Sequence, residues 1–294
     1  MKVKDIKDRI EKAQALLSSC RLCGNLCGVN RLKNQKGKCN SGKDLIIASH
    51  NVHFGEEPPI SGTEGSGTIF FTNCSLRCIY CQNYPISQMG NGEVISIQEL
   101  AEIMIKLQIQ GCHNVNFVTP THFIPQIIEA ASYAWELGFS LPLVYNTSGY
   151  ETVEALKLLR GIIDIYLVDM RYSDDQIASS YSSAKNYVKT NREAVKEMFF
   201  QVGDLTTDEK GIAICGLIIR HLILPHNLAG SKKTFEFIKK EIVDTVWISL
   251  MNQYFPANQA ISHPLLSRRT NRKEYNSAQK EFLQSGLLNA WVQG

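Results

Sequence analysis

The chain has 294 residues, 44% of them hydrophobic and 20% charged, with a formal net charge of +3. That length suffices for one large core, or for one core with a small module attached. So small a charge gives no reason to expect nucleic acid or an anionic surface as partner, and no apolar stretch approaches the roughly 20 residues of a membrane span.

The first segment, MKVKDIKDRIEKAQALL, alternates charged and apolar residues at helical spacing. It has no long apolar run and no small-residue cleavage site, so a cytoplasmic protein is expected. Residues 20–66 follow, rich in Gly, Asn, Lys and Pro and with little periodicity. They hold Cys20, Cys23, Cys27 and Cys39, spaced C-x2-C-x3-C-x11-C. In a reducing compartment such a cluster holds metal more often than it forms disulfides. Four cysteines can close a tetrahedral zinc site or hold an iron–sulfur cluster, and the spacing does not decide between them. The turn-rich stretch EEPPISGTEGSG over 56–67 is the best boundary in the chain. It suggests an N-terminal helix and cysteine-rich module over 1–60 and a larger unit over 61–294. Glu56 and Glu57, between a Gly and a Pro pair, read as loop residues rather than acid–base catalysts.

Beyond 66 the pattern changes. GTIFFTN (67–73) reads as a buried strand. Ser96 and Glu99 form a capping-box signature that opens the helix SIQELAEIMIKLQIQ, which Gly111 is placed to end. NVNFV (114–118) is the next strand, then a helix over 123–137, the strand LPLVY (141–145), a helix over 151–160 and the strand DIYLV (164–168). Two helical stretches fill 173–201. GLIIRHLIL (216–224) is the fifth strand, 231–241 a helix, TVWISL (245–250) the sixth strand, and a last helix spans 272–285. The basic run SRRTNRKEY (267–275) reads as the solvated entry to that helix. Cys112 and Cys215 lie in apolar surroundings and read as buried thiols.

Apolar strands alternating with amphipathic helices argue for parallel βα units with both sheet faces covered. Six units are too few for a closed eight-unit barrel, but an open or partial barrel and a doubly wound sheet both fit. In either, functional residues gather at the carboxyl ends of the strands. Those ends carry Cys74, Cys78 and Cys81; Thr119 to His122; Asn146 to Gly149; Asp169 to Arg171; and Met251 to Tyr254. On the fifth strand Arg220 and His221 alternate faces, so only one of them can point inward. Asp169 and Arg171, two apart, share a face if their strand runs that far, and a structural ion pair between them is the alternative to a role in the site.

The triad in TNCSLRCIYCQN is spaced C-x3-C-x2-C. Three thiolates on a tight loop can hold three corners of a four-iron cubane and leave the fourth iron for another ligand. A zinc ion completed by a distant ligand is the alternative. With Tyr80 just before the last Cys, and the loop directly after the first strand of a βα series, this stretch resembles the signature of radical S-adenosylmethionine (SAM) enzymes. The resemblance implies a partial (β/α)6 barrel with a small N-terminal cysteine-rich metal-binding module. It implies a 4Fe-4S cluster whose fourth iron is chelated by SAM, and reductive cleavage of SAM to a 5′-deoxyadenosyl radical that takes hydrogen from a substrate. It also implies a low-potential electron donor of the flavodoxin or ferredoxin type.

HFGEEPPISG, FFTNCSLRCIYCQN, VTPTHF, VYNTSGYE and IIRHLILP further resemble an uncharacterised subfamily similar to pyruvate formate-lyase activating enzymes. The activating enzymes carry Gly-Gly-Glu-Pro after the second strand, where it contacts the SAM amino group. Here that place reads Thr119-Pro-Thr-His122, with Thr121 or His122 as the expected substitute. Their Asp-Thr-Asn-Gly corresponds to Asn146, Thr147, Ser148 and Gly149, and their Asp-Leu-Lys to Asp169, Met170 and Arg171. Tyr80, Asn146, Thr147, Asp169 and Arg171 are thus the further expected cofactor contacts. A radical SAM oxidoreductase is the first reading of function. An activase that makes a glycyl radical on a protein partner, a direct catalyst on a small molecule or a peptide, and an iron–sulfur electron carrier are the rivals.

Overall fold

The computed structural model describes residues 3–292. Its strands are β1 (Leu45–His53), β2 (Ser66–Phe71), β3 (Glu93–Ile95), β4 (Val115–Val118), β5 (Leu143–Thr147), β6 (Ile165–Asp169), β7 (Thr206–Thr207), β8 (Ala213–Leu222), β9 (Trp247–Met251) and β10 (Asn289–Val292). The main helices are α1 (Ile6–Ala15), α2 (Pro58–Ser61), α3 (Tyr84–Ser87), α4 (Ile97–Ile109), α5 (Ile124–Glu136), α6 (Val153–Leu158), α7 (Asp175–Ser182), α8 (Tyr187–Val202), α9 (Ser231–Glu241) and α10 (Arg272–Ser285). Among the described residues no helix is long and apolar enough to cross a membrane.

The sheet runs β10-β9-β8-β6-β5-β4-β2-β1-β3, with the short β7 paired to β8. β2, β4, β5, β6, β8 and β9 are the six expected strands, each parallel to its neighbour. Their order follows the chain with no reversal, which excludes a doubly wound sheet, whose order switches direction. The sheet stays open between β10 and β3, the arrangement of a partial barrel. The central strands read as near-continuous apolar runs because both of their faces are covered; every residue of β5 and β6 is buried. The capping box at α4 forms as expected, with Glu99 N–H on the Ser96 hydroxyl and the Glu99 carboxylate on Ser96 N–H.

Pattern reading missed four strands. β1 lies in the stretch read as loop, yet it pairs antiparallel with β2 and carries β3 on its other edge. Its outer half is half-exposed and mixes polar with apolar residues, so it shows no buried-strand run. β10 extends the sheet parallel to β9. Cys112 is buried as expected, whereas Cys215 is only partly so. Helix α1 packs on α5 and α6, which sets the N-terminal segment against the helical layer of the barrel.

Candidate functional site

The carboxyl ends of the parallel strands open onto a cavity of about 860 Å³. Cys74, Cys78 and Cys81 line it from the loop after β2, Asn146 and Thr147 from the end of β5, and Asp169 and Arg171 from β6 and just beyond. One rim therefore gathers seven of the expected residues. The sequence explains the gathering: β5 and β6 are in register, with Thr147 beside Val168, so their last residues emerge side by side.

Hydrogen-bond donors and hydroxyls surround the three sulfurs. Leu76 N–H donates to Cys74 Sγ (3.3 Å), Arg171 Nη1 (3.3 Å) and the Ser182 hydroxyl (2.9 Å) donate to Cys78 Sγ, and the Ser87 hydroxyl lies 3.1 Å from Cys81 Sγ. The loop is strapped to the end of α7 by Arg77 N–H on Ser182 O and Ile79 N–H on Tyr181 O. Burial, with the neighbouring thiols Cys78 and Cys81, pushes the Cys74 thiol up to about 12. Burial raises Cys78 as well, against the pull of Arg171. Such thiols ionise when a metal takes the proton's place, and the donors around them suit thiolates. Among the described residues no three Cys, His, Asp or Glu side chains converge as the ligands of one ion. Three thiols ringed by donors on the wall of a large cavity are the donor set that a four-iron cluster with one exchangeable position takes.

Behind the sulfurs stands a charged network. Asp169 Oδ1 accepts from Arg220 Nε (2.8 Å), and Oδ2 accepts from Arg171 Nη2 (2.5 Å) and Nε (3.1 Å). Arg220 Nη2 donates to Asn146 Oδ1 (2.7 Å), and the Asn146 amide donates to Glu56 Oε1 (3.3 Å). Burial alone would raise the Asp169 carboxyl; the guanidinium groups of Arg220 and Arg171 overcome it and hold it below the usual range. Glu56 goes the other way, raised by burial although Arg220 lies 3.5 Å off. The inward member of the pair on the fifth strand is therefore Arg220. His221 is fully buried between Met170 O and the Ser231 hydroxyl.

Glu56 and Ser249 are cavity residues that pattern reading did not pick out. Glu56 was expected to be a loop residue, and sits in the cavity because the loop after β1 folds over the strand ends. The only available signal for Ser249 was a polar residue inside the apolar run of β9. Thr119, also lining the cavity, holds φ at +60°, a left-handed conformation that a β-branched residue rarely adopts. Gly149, at φ +67°, has no such freedom to change, since a Cβ there would collide with Asn191 and Val168. Asn191 donates to Gly149 O (3.1 Å) and Asp169 O (3.0 Å), clamping the two strand ends together.

Three expected cofactor contacts are not brought to this cavity. Tyr80 is buried behind the loop, its hydroxyl 2.5 Å from that of Tyr172, which is 2.7 Å from the Ser182 hydroxyl. Thr121 donates to Glu151 Oε1 (2.5 Å), as does Thr147, while Glu151 Oε2 has no partner among the described residues. His122 donates from Nε2 to Thr72 O (2.8 Å). The carbonyl can only accept, so Nε2 bears the proton and Nδ1 is bare. Burial lowers this imidazole to about 3, so it is neutral.

His122 instead borders a second, closed cavity of about 10 Å³, together with Cys20, Cys23, Cys27 and Cys39. The four cysteines expected to act together do meet. Gly28 N–H bonds to Cys20 O and Cys20 N–H to Val29 O, closing the first loop. The second loop comes so near that a Cβ at Gly37 would stand 2.8 Å from Cys27 Sγ. Lys38 N–H donates to Cys27 Sγ (3.3 Å). Arg31, also on the cavity wall and fully buried, spends its hydrogen bonds on Gly42 O (2.9 and 2.6 Å) and His122 O (2.6 Å).

The radical SAM superfamily model matches residues 68–207. The uncharacterized protein MJ0674 of Methanocaldococcus jannaschii is 32% identical over 283 residues, covering 92% of this chain and 76% of that protein. Among solved structures, Streptococcus suis SuiB bound to the precursor peptide SuiA aligns with a TM-score of 0.51 at 12% identity, over 76% of this chain and 47% of SuiB. Methylornithine synthase (PylB) aligns with a TM-score of 0.50 at 13% identity, over 97% of this chain and 74% of that one. The chain thus spans about half the length of SuiB, and both structural likenesses speak to the fold.

Proposed function

The chain belongs to the radical SAM superfamily, and on that premise we propose that it is an oxidoreductase holding a 4Fe-4S cluster on Cys74, Cys78 and Cys81 and SAM beside it. The observation that carries this reading is the triad itself: three hydrogen-bonded sulfurs, Cys78 buried and Cys74 and Cys81 partly buried, the only cysteines among the described residues that border the 860 Å³ cavity. When bound, the cluster supplies one low-potential electron that cleaves SAM to methionine and a radical able to take hydrogen from a substrate. The protein's share is placement. Arg171 offsets negative charge at Cys78 Sγ while Asp169 keeps the guanidinium aimed there. Asn146 presents its side-chain amide at the rim where the methionyl end of SAM is to be held, while the Thr147 hydroxyl turns to Glu151 on the other face of the strand and leaves its backbone to line the rim. The strained Thr119 brings the end of β4 to the same place. Around them Glu56, Arg220 and Ser249 make the remaining wall charged and polar, which suits a polar substrate.

An activase acting on a protein partner is the second reading. It is favoured by the open sheet, because Ala290, Trp291 and Val292 on the terminal strand β10 line the cavity beside an edge that could admit a peptide segment. A simple electron carrier needs no such rim. In either enzymatic reading the electron comes from a carrier of the flavodoxin or ferredoxin type. Incubating the reconstituted, reduced protein with SAM is the test. 5′-Deoxyadenosine is expected, and its absence would sink both enzymatic readings. A glycyl radical signal on an added partner protein would select the activase.

A further inference from the structure

The triad loop has two sides. One faces the 860 Å³ cavity. Ile79 and Tyr80, which do not line that cavity, meet the loop leading from β9 to α10. Ala260 N–H donates to Ile79 O (3.0 Å), and the Tyr80 ring meets that of Tyr254 edge-on, with centroids 5.8 Å apart. Along this seam runs an open groove of about 480 Å³, lined by Gln82, Tyr84, Phe255, Pro256 and Ile261. Tyr84, Phe255 and Ile261 are exposed. Gln82, the residue after Cys81, borders both the groove and the cavity. The charges here are of one sign. Residues 72–92, which carry the triad, and 252–273, which carry the second loop and the first turn of α10, hold Arg77, Arg268, Arg269, Arg272 and Lys273 but none of the chain's 28 acidic residues. Among the described residues, Arg268 alone of the five pairs with a carboxylate, that of Glu274 (2.7 Å). Arg269 lies over the Phe255 ring, 5.7 Å from its centroid, so a cation borders the groove itself. Helix α7, strapped to the triad loop at Ser182, keeps Asp174 and Asp175 at its other end, roughly 10 Å along the helix, where both accept backbone N–H groups.

We propose that this groove docks an acidic, low-potential electron carrier, with Phe255 and Ile261 as its apolar floor and Arg269 and Arg272 on its cationic side. The proposal rests on the reading of the triad as the seat of a 4Fe-4S cluster and names the face that the reductant uses. Electron transfer weakens steeply with distance, so a carrier must come close to the cluster. The cavity side is to be occupied by SAM, and the groove comes within one residue of Cys81 from outside. A small apolar floor beside unpaired cations suits a brief redox complex, whose interface is among the smallest that proteins form. Charges of one sign draw in an oppositely charged partner and orient it before contact. The step balances as one electron: a flavin hydroquinone becomes its semiquinone, and the cluster passes from its 2+ to its 1+ state.

The test uses the reconstituted holoprotein and a purified acidic flavodoxin. Isothermal titration reads binding, and bleaching of the cluster absorption after mixing with flavodoxin hydroquinone reads electron transfer. Photoreduced deazariboflavin, a small uncharged reductant that needs no docking face, is the comparison. In the wild type, flavodoxin affinity and the flavodoxin-driven rate are expected to fall about tenfold or more between roughly 50 and 500 mM salt, while the deazariboflavin-driven rate holds. Reversing two exposed charges, Arg269→Glu with Arg272→Glu, should lower both flavodoxin readouts about tenfold or more at low salt and leave the deazariboflavin rate and the melting temperature unchanged. Arg269→Lys with Arg272→Lys keeps the charge and should keep both readouts. Salt-independent flavodoxin binding by the wild type would overturn the proposal. So would a reversed variant that matches the wild type, or one that slows both reductants alike. Holoprotein that takes the electron from flavodoxin at this face but never cleaves SAM would defeat the functional reading and leave this one standing. SAM cleavage driven by deazariboflavin, with no salt-sensitive flavodoxin binding, would do the reverse.

Discussion

The two cysteine sites differ in what surrounds them. The triad faces a cavity of about 860 Å³ walled by charged groups. The tetrad closes around about 10 Å³ and is backed by a buried arginine and a neutral histidine. Three thiols beside a large opening leave a centre with a position to exchange; four thiols around a small one leave none. The contrast teaches that cysteine count and access to solvent vary together, as they do between catalytic and structural zinc sites. An exchangeable ligand needs both a free coordination position and somewhere to come from.

The widest difference between the sites should appear on deleting the open one. Replacing Cys74, Cys78 and Cys81 with Ala is expected to abolish reductive SAM cleavage altogether while the protein still melts cooperatively. Residual cleavage in that variant would mean that the tetrad can serve SAM, and the contrast would collapse. On the closed side the expected cost is to folding. Arg31→Met leaves His122 O buried and Gly42 O partly buried without donors and should lower stability by about 1–3 kcal/mol in urea unfolding, the cost of one buried orphaned group. A loss below about 0.5 kcal/mol would show that water replaces the guanidinium there and that the cavity is not closed.

Asp169→Ala probes the open rim. It removes the carboxylate that aligns Arg171 and Arg220, and SAM affinity is expected to fall roughly 10- to 150-fold, about 1.5–3 kcal/mol. Metal analysis should find the iron content unchanged while isothermal titration reads the loss of SAM affinity; wild-type affinity would make the ion pairs purely structural. The smallest effect concerns Glu56. Burial raises its carboxyl, so its ionisation opposes folding. Its contribution is fully present below its unfolded value and is lost as pH rises through the folded one. Glu56→Gln lacks that titration, so its stability relative to wild type should improve with rising pH, by about 1 kcal/mol or less between pH 5 and pH 8. A pH-independent difference would show that Arg220 keeps Glu56 ionised throughout. In contrast, Asp169 is depressed by its two arginines. It contributes stability above its unfolded value, and that contribution disappears as pH falls through the depressed one.

Much of the barrel was legible in the chain. The six parallel strands, the capping box at Ser96 and the helices over 231–241 and 272–285 follow from periodicity, because strands buried on both faces and amphipathic helices leave different spacings in the sequence. The rim residues Cys74, Cys78, Cys81, Asn146, Thr147, Asp169 and Arg171 follow from the rule that parallel strands present their carboxyl ends on one side. β1 and β10 did not show, because each sits toward an edge of the sheet, where only part of the strand is buried and alternation is weak.

What local pattern could not supply was direction. Thr121 and His122 occupy the segment where a cofactor contact was expected, yet a short turn after Thr119 takes one to Glu151 and the other to Thr72 and the tetrad cavity. Glu56 comes from a loop with no periodicity and enters the cavity only because that loop crosses the strand ends. The nearness of the two cysteine sites is equally invisible in a sequence that separates Cys39 from Cys74 by two strands, β1 and β2. It arises because Cys23 forms a bridge with Glu151, just past β5, and Asn25 reaches the loop after β2. Spacing along the chain determines which residues can act as a set. Which sets meet, and which way each side chain points, is settled by packing between segments far apart in sequence.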